Sequence, residues 1–388
     1  MIASPMVERL LTPQSSGARR YFGLRVRACA WVLIPSDGAR ARDGFAIYNP
    51  QSVGGILKKA LAHRGMWGGR QVYLLDRELR EIEAILEERT GIAPLRCAFY
   101  FRSPGLYSKT IALALDVHGR AVAYVKFGMT AEGEMALARE MEALDRLAVA
   151  PALANCVPRV IGRARWLEYP MLLVSVGAPW RRCDGFGPAQ EAFLRDLREA
   201  TVDRRTFCDS IMWKTMRARF AFVRTALEAD VYERYAWSLD ELERRLATEP
   251  LMMSFAHRDF VPWNMHYDRT GALFVYDWEL AQEECTPGWD FFHYHLAGGA
   301  LRVGRNVGGA IKSLLSEAQR AGIAPASDCL LAYLTDVGLF LRDRQQRSPG
   351  TVNNTYVPLV EEIMDKVYRT EVRYPVSCGA QLAKACQP

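Results

Sequence analysis

The chain has 388 residues, 50% of them hydrophobic and 24% charged, with a formal net charge of +6, an ordinary globular balance long enough for two or three lobes. No apolar run reaches the roughly 18 residues of a membrane span, the strongest being Cys29 to Ile34, and the first residues lack a basic stretch followed by a long apolar one, so a cytoplasmic protein without a signal peptide is expected. Nine scattered cysteines without a C-x-x-C pair argue for reduced thiols and against a disulfide framework or a zinc ribbon.

The charge is uneven. From Met1 to Arg70 there are eleven Lys or Arg against three acids, so this segment carries +8 and the remainder about −2. A basic segment attracts nucleic acid or an anionic surface, but no stacking motif or recognition-helix pattern accompanies it. A solvated basic face is therefore the expectation, and nucleic acid is not an expected partner. Within it Leu24 to Ile34 reads as one strand, Ser52 to His63 as a helix and Val72 to Leu75 as a short strand. Asp76 then reads as the cap of a helix whose Leu79, Ile82, Ile85 and Leu86 recur at helical spacing until Gly91 and Pro94 end it. Residues 1–92 form an expected α/β extension, with no chemical motif.

From Leu95 the pattern becomes strand, turn, strand: CAFYF, SKTIALALDV, the turn His118-Gly119-Arg120, then AVAYVKFG. The alternation suits an antiparallel sheet with one buried face. A helix follows from Ala131 to about Val149, on which Glu140 lies three residues after Leu137 and four before Leu144, on their apolar face, while Glu142 points elsewhere. A further strand pair, RVIGRARWLEY and PMLLVSV, ends at Gly177. Beyond it helical patterns dominate, around Pro188 to Ala247, Gly309 to Ala321, Asp328 to Arg342 and Pro358 to Tyr368. The expected division is 1–92, a sheet-rich lobe over 93–177 and a helix-rich lobe over 178–388.

Between those helices lies the stretch from Ser254 to Trp289, which gathers His257, Asp259, Asn264, Asp277 and Glu279 among strand-forming residues. Asp259 and Asn264 are five residues apart on a loop stiffened by Pro262, and Asp277 follows the apolar strand LFVY. A carboxylate to take a proton from a hydroxyl, with an amide oxygen and a second carboxylate as hard oxygen ligands, is the equipment of magnesium-dependent phosphoryl transfer.

His257-Arg258-Asp259 with Asn264, followed by Asp277-Trp278-Glu279, resembles the H-x-D-x-x-x-x-N and D-W-E signatures of the aminoglycoside phosphotransferase and choline kinase family. The resemblance implies an α+β, protein-kinase-like two-lobe fold, an antiparallel sheet-rich N-lobe and a helical C-lobe, here preceded by the extension. It implies ATP and Mg2+ as cofactors and a small-molecule hydroxyl as acceptor. Asp259 is then the base and His257 its support, with Asn264 and Asp277 as magnesium ligands. Upstream it implies that Lys126 reaches the nucleotide phosphates, that Glu140 pairs with Lys126, that the turn containing Gly105 and Ser108 covers the phosphates, and that the backbone at Val174 and Val176 meets the adenine. Asp290 resembles the family's later structural aspartate.

Arg258 departs from the family's usual glycine and gives an H-R-D triplet like that of protein kinases. Yet the lysine two residues after the protein-kinase aspartate is replaced by Val261, and no A-P-E segment follows, which favours a small molecule over a protein acceptor. The alternative is a pseudokinase-like nucleotide-binding or scaffold protein without turnover. His293 and His295 near Cys285 are a weak zinc pattern lacking a completing cysteine pair, and Glu283, Glu284, Glu361 and Glu362 are acids that a cationic acceptor could meet.

Overall fold

A computed structural model of the chain describes residues 5–27, 30–36, 41–50, 53–64, 70–101, 109–179, 181–297, 307–349 and 356–373. It divides into two compact units, Met1–Trp180 with Asp268–Thr270, and Arg181–Tyr267 with Gly271–Pro388. The architecture is mixed α+β, sheet-rich in the first unit and helical in the second.

The first unit begins with α1 (Pro5–Leu10), β1 (Ala18–Arg27), β2 (Ala30–Pro35), α2 (Val53–His63), β3 (Arg70–Leu75) and α3 (Asp76–Thr90). It continues through β4 (Arg96–Phe101), β5 (Lys109–Leu115), β6 (Ala121–Gly128), α4 (Ala131–Ala148), β7 (Val160–Trp166) and β8 (Tyr169–Ser175). Among the described residues the strands form one eight-stranded sheet in the order β3-β1-β2-β4-β5-β6-β8-β7. The first 92 residues join the later strands through a strand pair, β2 against β4 in antiparallel register with Trp31 opposite Phe101 and Leu33 opposite Phe99. Met6, Leu10, Leu33, Leu79, Ile82, Leu86, Phe99, Phe101, Phe127 and Trp166 share one apolar core, so the extension and the strands after it bury the same surface.

Two local expectations need correction. Leu24 to Ile34 is not one strand but parts of two, β1 and β2, paired with a register shift near Arg25; a run without glycine, proline, asparagine or aspartate carries no sign of a reversal. Asp76 is not the cap of α3 but its first residue, after Leu75, which makes no side-chain cap bond. Its carboxylate is taken by Arg19, at 2.6 Å, and by Arg80, at 2.7 Å. The C-terminus of α3 is as read: Gly91 is left-handed, φ 69°, and its N–H bonds the Glu87 carbonyl.

The second unit holds β9 (Arg181–Arg182), α5 (Pro188–Thr201), β10 (Asp203–Arg205), α6 (Ile211–Val223), α7 (Ala229–Leu246) and β11 (Leu251–Ala256). After these come β12 (Met265–Tyr267), β13 (Leu273–Val275), β14 (Gln282–Cys285), α8 (Trp289–Ala297), α9 (Val307–Arg320), α10 (Ala326–Arg347) and α11 (Tyr356–Arg373). Two small antiparallel sheets, β10-β11-β14 and β13-β12-β9, punctuate the helices. At the centre is α10, buried nearly all round from Cys329 to Leu339, as a helix packed on several neighbours must be. One carboxylate, Asp336, sits in that buried run with no exposure.

Candidate active site

In the first unit, β6 and α4 bring Lys126 and Glu140 together. Lys126 lies on β6 between the core residues Val125 and Phe127, on the opposite face of the strand, and is 7% exposed; Glu140 is fully buried on the Leu137 and Leu144 face of α4, whereas Glu142 is exposed. The Lys126 Nζ lies 2.5 and 2.7 Å from the two Glu140 oxygens. Thr130 caps α4, its Oγ1 accepting from Gly133 N–H at 3.0 Å. Val174 lies within β8, opposite Tyr124 on one side and Val160 on the other, and Val176 follows the strand's end. Gly105 and Ser108 lie outside the described residues.

In the second unit β11 ends at Ala256 and delivers His257, Arg258 and Asp259 as a loop held from below by Asp290, near the start of α8. The Asp290 carboxylate accepts from His257 N–H at 2.7 Å and from Arg258 N–H at 2.8 Å. Burial raises its carboxyl above the ordinary aspartate value, while His257 and the two N–H donors work the other way. His257 is fully buried against Trp278, with ring centroids 4.4 Å apart. Its Nε2 lies 3.0 Å from the Tyr276 carbonyl and its Nδ1 accepts from Asp259 N–H at 3.1 Å. With the Tyr276 carbonyl as acceptor the proton belongs on Nε2, so the ring props the loop and holds no proton toward Asp259.

The Asp259 side chain is 37% exposed. Asn264 Nδ2 donates to its carboxylate at 2.7 Å and to its backbone carbonyl at 2.9 Å, closing the loop across Pro262. Burial works to raise the Asp259 carboxyl, but His293 and His257 prevail and hold it below the ordinary value, against the like charge of Asp277. Asp277 follows β13 in left-handed backbone, φ 72°, a region that Asp tolerates better than most residues.

Two residues of this loop's surroundings were missed in the sequence or read otherwise. His293, weighed there only as a zinc ligand, places Nε2 3.6 Å from an Asp259 oxygen and Nδ1 3.2 Å from the Tyr333 hydroxyl. The signal for it was its spacing: it lies three residues after Asp290 on α8 and shares that helix face. Asp336 was not singled out, although an acid inside the apolar run from Cys329 to Leu341 is uncommon enough to mark a site. The acids offered to a cationic acceptor face the chain's own bases: Glu284 meets Arg205 at 2.9 Å, Glu361 meets Arg342 at 2.6 Å and Glu362 meets Lys366 at 3.6 Å.

The chain is similar to known proteins in sequence pattern and fold. The model of the phosphotransferase enzyme family matches residues 108–291. Among solved structures, a thermostable mutant of aminoglycoside phosphotransferase APH(4)-Ia in its apo form aligns with TM-score 0.51 at 18% identity, over 75% of this chain and 100% of that one. The same enzyme in ternary complex with ADP and hygromycin B gives 0.50 at 16%, over 75% and 98%. The GDP complex of wild-type aminoglycoside 2'-phosphotransferase-IIIa gives 0.50 at 11%, over 76% and 99%. No curated protein sequence matches, and no described helix is long and apolar enough to cross a membrane. The chain thus has the protein-kinase-like fold of the aminoglycoside phosphotransferases, and its residues 108–291 match the model of the phosphotransferase enzyme family.

Proposed function

We propose that this chain transfers the γ-phosphoryl group of ATP to a hydroxyl of a small molecule. The observation that carries the reading is the Asp259 loop: a partly exposed carboxylate, kept ionised by its neighbours, tied to Asn264 and within electrostatic reach of Asp277. Lys126, held by Glu140, meets the nucleotide phosphates, with Gly105, Ser108 and the backbone at Val174 and Val176 as further nucleotide contacts. As the acceptor oxygen bonds to the γ-phosphorus, the bond to the bridging oxygen breaks, ADP leaves, and the hydroxyl proton passes to an Asp259 oxygen.

The donor set suits magnesium. Asn264 spends its amide nitrogen on Asp259, so its oxygen would be the atom to hold a cation, and the Asp277 carboxylate would be a second hard ligand. Bound there, the ion would neutralise charge on the phosphates. His257 fixes the loop and leaves proton transfer to Asp259. The hygromycin B of the related ternary complex makes hydroxylated amino sugars the first acceptors to screen, with GTP tested beside ATP because a related structure is seen with GDP.

In such a screen, magnesium-dependent ADP release should fall about 10²- to 10⁴-fold in Asp259→Ala with little change in nucleotide affinity. Undiminished turnover in that variant would end the assignment. MgATP should raise the thermal midpoint of the unmodified chain and raise it less in Asp277→Ala; a flat response in both favours the scaffold reading.

A further inference from the structure

The loop's second residue is the one that departs from the family pattern, and its geometry is unusual. Arg258 has φ 66°, the left-handed region that glycine enters freely and an L side chain resists. A family that uses glycine there is spared that strain, so an arginine needs something in return. Its side chain supplies it. Arg258 is 6% exposed; Nη2 lies 2.6 Å from Asp336 Oδ2, Nη1 bonds Gln282 Oε1, and the guanidinium lies over the Trp289 ring with its carbon 5.0 Å from the centroid. The Trp289 indole N–H donates to the same Asp336 oxygen at 2.9 Å, and Arg219 of α6 pairs with the other at 2.9 Å. Thus one buried carboxylate in the middle of α10 ties together α6, the start of α8 and the loop.

We propose that Arg258 is a positioning residue, clamping the Asp259 loop to the buried Asp336 of α10 so that the carboxylate of Asp259 is held in its working orientation. The peptide preceding Asp259 is gripped twice, by Asp290 on its backbone N–H and by Asp336 on its side chain, and a residue fixed at both points leaves its neighbour little rotational freedom. The planar guanidinium suits this task because it can bond two partners and stack on a ring at once, which a lysine ammonium cannot. This inference rests on the phosphotransfer reading only for its catalytic consequence; the clamp itself belongs to the fold.

Arg258→Gly tests it, since glycine accepts the backbone angle and Arg219 and Trp289 remain as partners of Asp336. Three quantities are read in the unmodified chain, in Arg258→Gly and in Arg258→Lys: amide hydrogen exchange of residues 257–264, the thermal midpoint, and kcat and KM for MgATP-dependent ADP release. The clamp predicts faster exchange confined to the loop, and kcat reduced about 10- to 100-fold by misplacement of the base with KM for MgATP within about twofold, KM and kcat separating as they do when a transition-state interaction alone is lost. Arg258→Lys, keeping one charged bond, should lie between. Loop exchange equal to that of the unmodified chain overturns the clamp, and so does an unchanged kcat beside accelerated exchange. If the unmodified chain releases no ADP, the phosphotransfer reading fails by itself, and the exchange comparison still decides whether Arg258 holds the loop.

Discussion

At the scale of single residues, the buried pair Lys126 and Glu140 is the most consequential place to cut. Glu140 is fully buried and both its oxygens face the one ammonium. Lys126→Met would take the ammonium from that carboxylate, and breaking a buried pair from one side costs about 3–5 kcal/mol, whereas replacing both partners by apolar groups is often neutral. Urea unfolding should therefore show Lys126→Met clearly less stable than the parent and the double variant Lys126→Met/Glu140→Leu recovering most of the loss. Equal losses in the single and double variants would show that the loss belongs to the pair itself and not to a carboxylate left without its ammonium. The choice of Glu140 over Glu142 was legible in sequence because helical spacing is a local property. Arg258 with Asp336 was not: the two are 78 residues apart, and nothing in a run of residues says which distant acid a buried arginine will meet. His257 shows the intermediate case, since its role as a prop follows from the motif while its acceptor, the Tyr276 carbonyl, comes only from β13 folding back beside the loop.

At the scale of elements, the tight joint between β6 and α4 decides where Glu140 sits. Gly128 ends β6, and a Cβ built there would lie 3.0 Å from Glu134 N and 3.1 Å from its Cα, with Pro170 Cγ also at 3.1 Å. Backbone on one side and a proline ring on the other leave little room to yield, so Gly128→Ala should push the first turn of α4 away from the sheet. Thr130 caps that same turn, and Thr130→Ala should cost about 1 kcal/mol in thermal or urea unfolding. The two act differently on function. Thr130→Ala should lower stability while leaving the MgATP-induced rise in midpoint nearly intact, whereas Gly128→Ala should diminish that rise by moving Glu140 and its hold on Lys126. A full nucleotide response in Gly128→Ala would mean the joint tolerates the methyl group and that α4 is not rigidly placed by it. Element type was readable throughout this region because apolar periodicity is strong; the reversal between β1 and β2 was not, because no glycine, proline, asparagine or aspartate between Leu24 and Ile34 marks a turn.

At the scale of the whole molecule, residues 1–92, read in the sequence as an α/β extension, share a sheet with the strands that follow them. Their β1, β2 and β3 occupy one flank of the eight-stranded sheet, and β4 finds its second partner in β2. Met6, Leu10, Tyr21, Leu33, Leu74, Leu79, Ile82 and Leu86 are fully buried in the core that also contains Phe99, Phe101 and Phe127. A chain beginning at residue 93 would lose those contacts and present β4 as a bare edge, with Cys97, Phe99 and Phe101 newly exposed. Apolar burial is worth roughly 1.5–3 kcal/mol for each large side chain, several of which would be uncovered at once, against a typical net stability of only about 5–15 kcal/mol. An unpaired apolar edge is also a template for association. The truncated chain should therefore be insoluble or lack a cooperative thermal transition, and the proposed binding of MgATP should be lost along with the fold. Soluble, cooperatively unfolding protein from residue 93 onward, with the nucleotide response of the full chain, would instead make the extension an accessory and return its basic charge to the status of an independent surface.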